Sequence, residues 1–180
     1  MRRCLASGPP LPRLIRCSEP MGEQCRFVLP GAPRGKAVAQ VTRFGTFIPK
    51  KTRDEMEAIR MIARIAMAGR PPFEGPIDLK IAAYMPVPKS WPRAKREAAL
   101  AGRVLPTVKP DGSNIQKLAE DAILPPRLTK ADQRYVTEAM LRTVIRDDAQ
   151  ITDWQGWKRY SSEPRLVVVV TEIDLAQDPI

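Results

Sequence analysis

Ile77-Asp78-Leu79-Lys80-Ile81-Ala82-Ala83-Tyr84-Met85 alternates between apolar side chains and mostly polar ones. This period of two predicts a β-strand with one buried face. The second such stretch is 165–173, in which Leu166 to Val170 are all apolar. An unbroken apolar run of this length predicts a central strand that is covered on both faces. Together the two stretches predict a sheet as the centre of the fold.

Helical and strand patterns surround these two stretches. Thr52-Arg53-Asp54-Glu55 has the form of a capping box, and apolar residues follow it at helical spacing as far as Gly69. The other predicted elements are strands at 25–29 and 150–160, a basic hairpin or flap at 38–48, and helices at 92–102, 114–124 and 129–143. The order, βαβ followed by helices and then ββ, predicts an α+β fold in which a mixed β-sheet is flanked by helices.

The first 24 residues differ in composition from the rest of the chain. They are rich in Pro and Arg without periodicity, which predicts a disordered extension at 1–24, and one domain is expected at 25–175. No stretch resembles a signal peptide or a membrane span, so no membrane partner is expected. The cysteines, Cys4, Cys17 and Cys25, fit neither a disulfide scaffold nor a zinc site, which favours a reducing cytoplasm.

The chain is strongly basic. It carries 30 Lys and Arg residues against 20 Asp and Glu residues, a net charge of +10, and it has no histidine. The excess favours a polyanionic partner held by an attraction that weakens with salt. The lack of histidine excludes the Ser-His, Cys-His and His-zinc chemistries, so carboxylates and lysine are the candidate catalysts.

Carboxylates gather at two places where they add no evident stability. Asp111 lies on a Pro-Asp-Gly turn ahead of a helix, and Asp147 and Asp148 are adjacent like charges ahead of a strand. Both places flank one helical segment, so Asp111 and Asp148 are expected to meet in space. Mg²⁺ is held by a few carboxylates and by substrate phosphate oxygens, so this arrangement is typical of a metal-dependent nuclease. The alternative for Asp147 and Asp148 is a solvated turn.

The helix after the Pro-Asp-Gly turn adds a candidate lysine. Asn114, Lys117 and Asp121 share one helical face, on which Lys117 would contact a scissile phosphate or stabilise charge on the leaving oxygen. The alternative is a surface ion pair between Lys117 and Asp121. Ser113 also has an alternative role, as the helix cap in a capping box with Gln116.

Three signatures in combination resemble the RusA-type Holliday junction resolvases, a family of phage and bacterial endodeoxyribonucleases. Phe27-Val28-Leu29-Pro30-Gly31-Ala32-Pro33 is similar to the family's first strand and turn, and Pro86-Val87-Pro88-Lys89-Ser90-Trp91 to its Pro-rich loop. The two acidic stretches are similar to its Lys-Pro-Asp-x-Asp-Asn-x-x-Lys and Asp-Asp-x-Gln motifs. The resemblance runs from about residue 26 to 173. It implies a homodimer that uses Mg²⁺ to nick four-way junctions symmetrically, in a bacterial or phage-infected cell.

The resemblance also implies roles for individual residues. Asp111 matches the first metal aspartate, Asp148 the third with Asp147 beside it, and Lys117 the catalytic lysine. Further residues that could bind the metal or support its ligands are Ser113, Asn114 and Asp121. The chain departs from the family's pattern in two places. A serine, Ser113, stands where the family has its second aspartate, and 125–140 forms an insertion between the two acidic motifs. Mn²⁺ is expected as a second metal that the site accepts.

The expected function is that of an Mg²⁺-dependent endodeoxyribonuclease whose partner is branched DNA, with Asp111, Asp148 and Lys117 as catalytic residues. Phosphate contacts are expected from basic residues in predicted loops near the acidic motifs, namely Arg43, Lys50, Lys51, Lys89, Lys109, Lys158 and Arg159. Trp154 and Trp157 either stack on bases or belong to the core at a strand edge. The alternative function is a junction-binding protein whose cleavage is weak or lost because of Ser113.

Overall fold

The computed structural model describes residues 23–43, 45–126, 137 and 142–174. The extension predicted at 1–24 and the insertion predicted at 125–140 lie almost entirely outside these residues, as does most of the helix predicted at 129–143. Thr137, Arg142 and Thr143 are described and are not helical.

Nine helices and strands form the described part of the chain. In chain order they are β1 (Gln24–Pro30), β2 (Gln40–Thr42), β3 (Gly45–Phe47), α1 (Lys50–Met67), β4 (Ile77–Pro86), α2 (Arg93–Leu100), α3 (Gly112–Ile123), β5 (Ile151–Ser161) and β6 (Arg165–Glu172). A single 3₁₀ turn, Asp148–Gln150, precedes β5. The predicted hairpin at 38–48 is confirmed, since β2 and β3 pair only with each other.

The centre of the fold is a four-stranded sheet in the order β1-β6-β4-β5. β6 is antiparallel to both of its neighbours, whereas β4 and β5 are parallel, so the predicted mixed sheet of an α+β fold is confirmed. The alternation that predicted β4 is also confirmed, because Ile77, Leu79, Ile81, Ala83 and Met85 are all buried. These side chains fix which face of the sheet carries the core.

The described helices cover only that one face. The core joins Ile59 of α1, Ala99 of α2 and Leu118 of α3 to the apolar side chains of the sheet. The prediction that 166–170 is covered on both faces is therefore only half right. On the opposite face Val167 is buried, but Val169 is half-buried and Val28 of β1 is 37% exposed. None of the described helices combines the length and the apolar character of a membrane span.

Neither predicted capping box forms. α1 begins after Pro49, whose carbonyl accepts hydrogen bonds from the N–H groups of Thr52 at 3.0 Å and Arg53 at 3.2 Å, so Thr52 is buried inside the first turn. α3 begins at Gly112, with Asp111 in the N-cap position and no side-chain cap. Ser113 is consequently an exposed residue of the first turn of α3 and not its cap.

Candidate functional site

The segment that leads to Asp111 is held by a lysine from the sheet. Lys158 of β5 donates hydrogen bonds from Nζ to the carbonyl oxygens of Val108 at 2.9 Å and Pro110 at 3.0 Å. Asp111 follows directly, and its own carbonyl accepts the first helical hydrogen bonds of α3. The position of Asp111 therefore depends on the sheet as well as on the helix.

A loop after β1 packs against the same segment from another side. The N–H of Lys36 donates to the carbonyl of Asn114 at 2.8 Å. A Cβ atom placed on Gly35 would lie 2.9 Å from Cβ of Asn114 and 3.0 Å from Cβ of Pro110, so only glycine fits this contact. Neither Gly35 nor Lys36 belongs to a periodic pattern or motif, and for that reason the sequence did not point to them.

A pocket of about 360 Å³ opens beside Asp111. We call it the Asp111 pocket, and it is lined by Arg34, Lys36, Lys109 and Asn114 among others. Asp111 is exposed, and among the described residues its carboxylate forms no ion pair and accepts only one hydrogen bond, a long one of 3.5 Å from Nδ2 of Asn114. A free carboxylate among basic groups suits a cation that is held against an anionic substrate.

A groove of about 540 Å³ runs between α1 and the end of α3. We call it the Asp148 groove, because Asp148 lines it together with Asp121 and Arg60. Lys36 lines both cavities, and its ammonium group forms an ion pair with Asp121. The surface ion pair considered between Lys117 and Asp121 does not form. Lys117 is exposed and makes no ion pair in the described part of the chain.

Arg60 is a second residue of the groove that sequence reasoning missed. It is buried, with 8% exposure, although it carries a charge. Its Nη1 donates to Oε2 of Glu57 at 3.0 Å and its Nη2 to the carbonyl of Asp121 at 3.2 Å. The bond to Glu57 lies within α1 and the bond to Asp121 joins α1 to α3, so Arg60 fixes the wall of the groove.

Asp111 and Asp148 lie at opposite ends of α3. Asp111 precedes the helix, whereas the carbonyl of Ile123, its last residue, accepts a hydrogen bond from the N–H of Val144, a few residues before Asp148. A helix of 12 residues spans roughly 18 Å. Among the described residues, no three Asp, Glu, His or Cys side chains are close enough together to hold a metal ion. Within one chain, Asp148 thus lines the same groove as Asp121, whereas Asp111 lies at the other end of α3.

Asp147 caps the 3₁₀ turn that carries Asp148. Its Oδ1 accepts a hydrogen bond of 2.8 Å from the N–H of Ala149. This bond makes the largest contribution to lowering the pKa of Asp147 below its ordinary value. A side-chain hydrogen bond with Asp148 makes a smaller contribution in the same direction. The contribution of the Asp147 carboxylate to folding stability is complete at pH values above the pKa that Asp147 has in the unfolded chain. That contribution is lost as the pH falls through the lower pKa of the folded protein. Asp147 therefore orders the turn as a carboxylate.

Gln150, the last residue of the Asp-Asp-x-Gln motif, has a structural role that the sequence did not reveal. Its Oε1 accepts hydrogen bonds from the N–H groups of Arg146 at 2.8 Å and Asp147 at 3.0 Å. Its Nε2 donates to the carbonyls of Phe73 at 2.9 Å and Gly75 at 3.0 Å. The amide thus joins the Asp148 turn to the segment that enters β4.

Replacing Gln150 by Ala is expected to lower the free energy of unfolding by about 2–4 kcal/mol, because four backbone groups lose a partner. Denaturant unfolding followed by circular dichroism measures the change. Gln155→Ala, at an exposed position of β5, is the matched control and should change stability little. If the Gln150 and Gln155 variants unfold alike, the bonds of Gln150 do not hold the turn.

The residues predicted to contact DNA are distributed over several surfaces. Arg43, Lys50, Lys51, Lys89, Lys109 and Arg159 are exposed. Lys158 is half-buried, and its ammonium group is bonded to the segment before Asp111. Of the neighbouring aromatic residues, Trp154 is 58% exposed, whereas Tyr160 is buried and packs edge-on against Trp91 at 5.3 Å. The ring of Trp154 is therefore accessible for stacking on a base.

Comparison with known proteins identifies a matching family and a bacterial relative of this chain. The sequence model described as endodeoxyribonuclease RusA matches residues 30–143, a range that contains the Asp111 pocket and Lys117 and ends before Asp147. The uncharacterized protein YqaN of Bacillus subtilis (strain 168) is 31% identical over 116 residues, which cover 62% of this chain and 70% of that protein. Since the family match covers more than half of the chain, the protein belongs to the endodeoxyribonuclease RusA family.

Proposed function

We propose that this protein is an Mg²⁺-dependent endodeoxyribonuclease that binds four-way DNA junctions as a homodimer and nicks two strands symmetrically. The observation that carries the proposal is the family match over 30–143, within which Asp111 lies as a free carboxylate in a pocket lined by basic residues. The net charge of +10 supports a polyanionic partner. The cytoplasm of a bacterial or phage-infected cell is the corresponding location.

The carboxylates that would hold Mg²⁺ are Asp111 and Asp148. Both are exposed, and neither forms an ion pair with another described residue. Mg²⁺ is commonly bound by one or two protein carboxylates with waters and substrate phosphates, so these two suffice. Asp147 is a weaker candidate, because one of its oxygens already accepts the bond from Ala149. Bound metal, Mg²⁺ or Mn²⁺, would supply a Lewis acid for the phosphate and for the attacking water.

The dimer is what brings the two carboxylates together in this proposal. A two-fold axis perpendicular to α3 at its middle would reverse the direction of the helix in the second protomer. The two copies of α3 would then lie side by side and antiparallel, in a self-complementary interface. The start of one helix would then face the end of the other. Asp111 of one protomer would lie beside Asp148 of the partner subunit, and two equivalent sites would result. Paired sites related by a two-fold axis explain why nicking would be symmetric.

The remaining residues of the pocket would bind and orient the DNA backbone. Arg34, Lys36 and Lys109 line the Asp111 pocket and would contact phosphates on either side of the scissile bond. Lys117 is exposed on α3, between the two ends of the helix. Its ammonium group would stabilise the charge that develops on the leaving oxygen.

Salt dependence tests the binding part of the proposal. Affinity for a four-way junction is expected to fall steeply with salt, with a log–log slope of about −0.9 per phosphate neutralised. The junction should be preferred over a linear duplex of the same sequence at every salt concentration, because the dimer would recognise shape. Fluorescence anisotropy with both DNAs measures this. Equal affinities would identify a general basic DNA-binding protein.

Replacing Ser113 by Asp restores the charge that the family has at this position. Ser113 is exposed in the first turn of α3, where a carboxylate also suits the helix dipole. We expect the Mg²⁺ concentration for half-maximal cleavage to fall by about tenfold, the scale on which groups around a metal alter its affinity. Ser113→Asn, which adds a similar shape without charge, is the control. An unchanged Mg²⁺ requirement in Ser113→Asp would show that another carboxylate fills this role.

The same variant separates the two candidate functions. A junction-binding protein that has lost cleavage through Ser113 should gain cleavage in Ser113→Asp. A natural protein that already cleaves at low Mg²⁺ is the nuclease proposed above.

A further inference from the structure

The ammonium group of Lys158 forms its hydrogen bonds within the protein. Two of its three N–H donors are bonded to the carbonyls of Val108 and Pro110, at 2.9 and 3.0 Å. Hydrogen bonds from an ammonium group are stronger than those between neutral groups. A phosphate could take both donors only if the two carbonyls lost their partner.

The backbone of Lys158 is fixed by the sheet. Lys158 lies opposite Ala83 in the parallel register of β4 and β5, and Ala83 is 2% exposed on the face that carries the helices. Side chains alternate along a strand, so Lys158 is on the same side as α3 and Arg159 on the other. Its side chain therefore extends from a rigid strand towards the segment before α3.

The segment that it holds starts at the core, where Val104 packs against core residues and Pro106 is buried, but backbone hydrogen bonds do not fix it. No backbone-to-backbone hydrogen bond involves 104–110 among the described residues, and Val108 and Lys109 are exposed. Besides the bonds from the lysine, the close approach of Gly35 to Pro110 holds the end of the segment. Asp111 is the next residue, and its carbonyl accepts the N–H groups of Asn114 and Ile115, each at 3.1 Å.

We infer that Lys158 is a positioning residue, which fixes Asp111 in the orientation needed for metal binding and does not contact DNA phosphate. The effect on cleavage rests on the proposed function, whereas the effect on the Asp111 turn is a property of the free protein. The two are measured separately, so that failure of one is not mistaken for failure of the other.

Amide hydrogen exchange of the full-length protein without DNA or metal tests the hold on the turn. In Lys158→Met, exchange at Asn114 and Ile115 should accelerate by about tenfold or more, because the carbonyl that accepts their bonds becomes mobile. Lys158→Arg, whose guanidinium can reach the same carbonyls, should restore most of the protection. Arg96→Met removes an exposed positive charge from α2 and should change nothing. If Lys158→Met does not fold, Lys158→Gln, which is too short to reach, takes its place.

Cleavage of a four-way junction tests the consequence for the metal. Lys158→Met should raise the Mg²⁺ concentration for half-maximal cleavage by about 10–100-fold, as for other residues that orient a metal ligand. The salt slope of junction binding should stay at the natural value. Unchanged exchange at Asn114 and Ile115 overturns the inference whether or not the protein cleaves DNA. A salt slope shallower by about 0.9 with an unchanged Mg²⁺ requirement would make Lys158 a phosphate contact instead.

Discussion

Asp111→Asn and Asp148→Asn are each expected to abolish junction cleavage while junction binding is retained or strengthened. Asn keeps the shape of Asp and removes the charge that is proposed to bind Mg²⁺. We expect a loss of about a thousandfold, which corresponds to roughly 4 kcal/mol of transition-state stabilisation. Both positions are exposed, so the fold should persist. Binding should not weaken, because the substitution removes a negative charge that repels phosphate.

Gel analysis of a labelled junction, with and without Mg²⁺, measures cleavage and binding in one experiment. Asp153→Asn removes another exposed carboxylate, from β5, and serves as the control that should cleave normally. Normal cleavage by Asp111→Asn or Asp148→Asn would show that the assigned metal ligand is wrong.

Mixing the two inactive variants is expected to restore nicking. A heterodimer of Asp111→Asn with Asp148→Asn has one site in which both carboxylates are present and one in which both are lost, if each site is shared between protomers. Equal mixing with free subunit exchange should recover about a quarter of the natural nicking activity. About half of the dimers are then mixed, and each mixed dimer has one intact site out of two. On a supercoiled plasmid with an extruded cruciform, the product should be open circles and not linear DNA.

The matched control for this mixture is the double variant, Asp111→Asn with Asp148→Asn, mixed with Asp148→Asn alone. No pairing of those chains completes a shared site, so no nicking should appear. If the two single variants also remain inactive when mixed, the ligands come from one protomer. Asp121, which lines the groove with Asp148, would then be the candidate partner, and Asp121→Asn would be the next variant to assay.

The elements of this fold were predictable where the signal is local. The alternation over 77–85 predicted β4 because each apolar side chain there contributes to the buried face. The helical spacing after Asp111 predicted α3 for the same reason, and Ile115, Leu118 and Ala122 are buried. The capping boxes failed, because Pro49 and Asp111 already define where α1 and α3 begin.

The candidate site was less predictable, because its geometry depends on tertiary contacts. The motifs named Asp111 and Asp148, but the distance between them is set by the direction in which α3 crosses the sheet. The type and position of Lys158 fit a phosphate contact equally well, and only its bonds to Val108 and Pro110 show that it holds the turn. Gly35 and Gln150 likewise acquire their roles from segments distant in sequence.

Incubating the natural protein with a synthetic four-way junction tests whether it is a junction-specific, Mg²⁺-dependent nuclease. Each of the four strands is labelled in turn, and a linear duplex of the same sequence is assayed in parallel, with and without Mg²⁺. We expect nicks at symmetric positions in two opposite strands of the junction, only with Mg²⁺, and no comparable cleavage of the duplex. The protein is not a junction-specific nuclease if it binds the junction in Mg²⁺ and leaves all four strands intact, or if it cuts the duplex equally well.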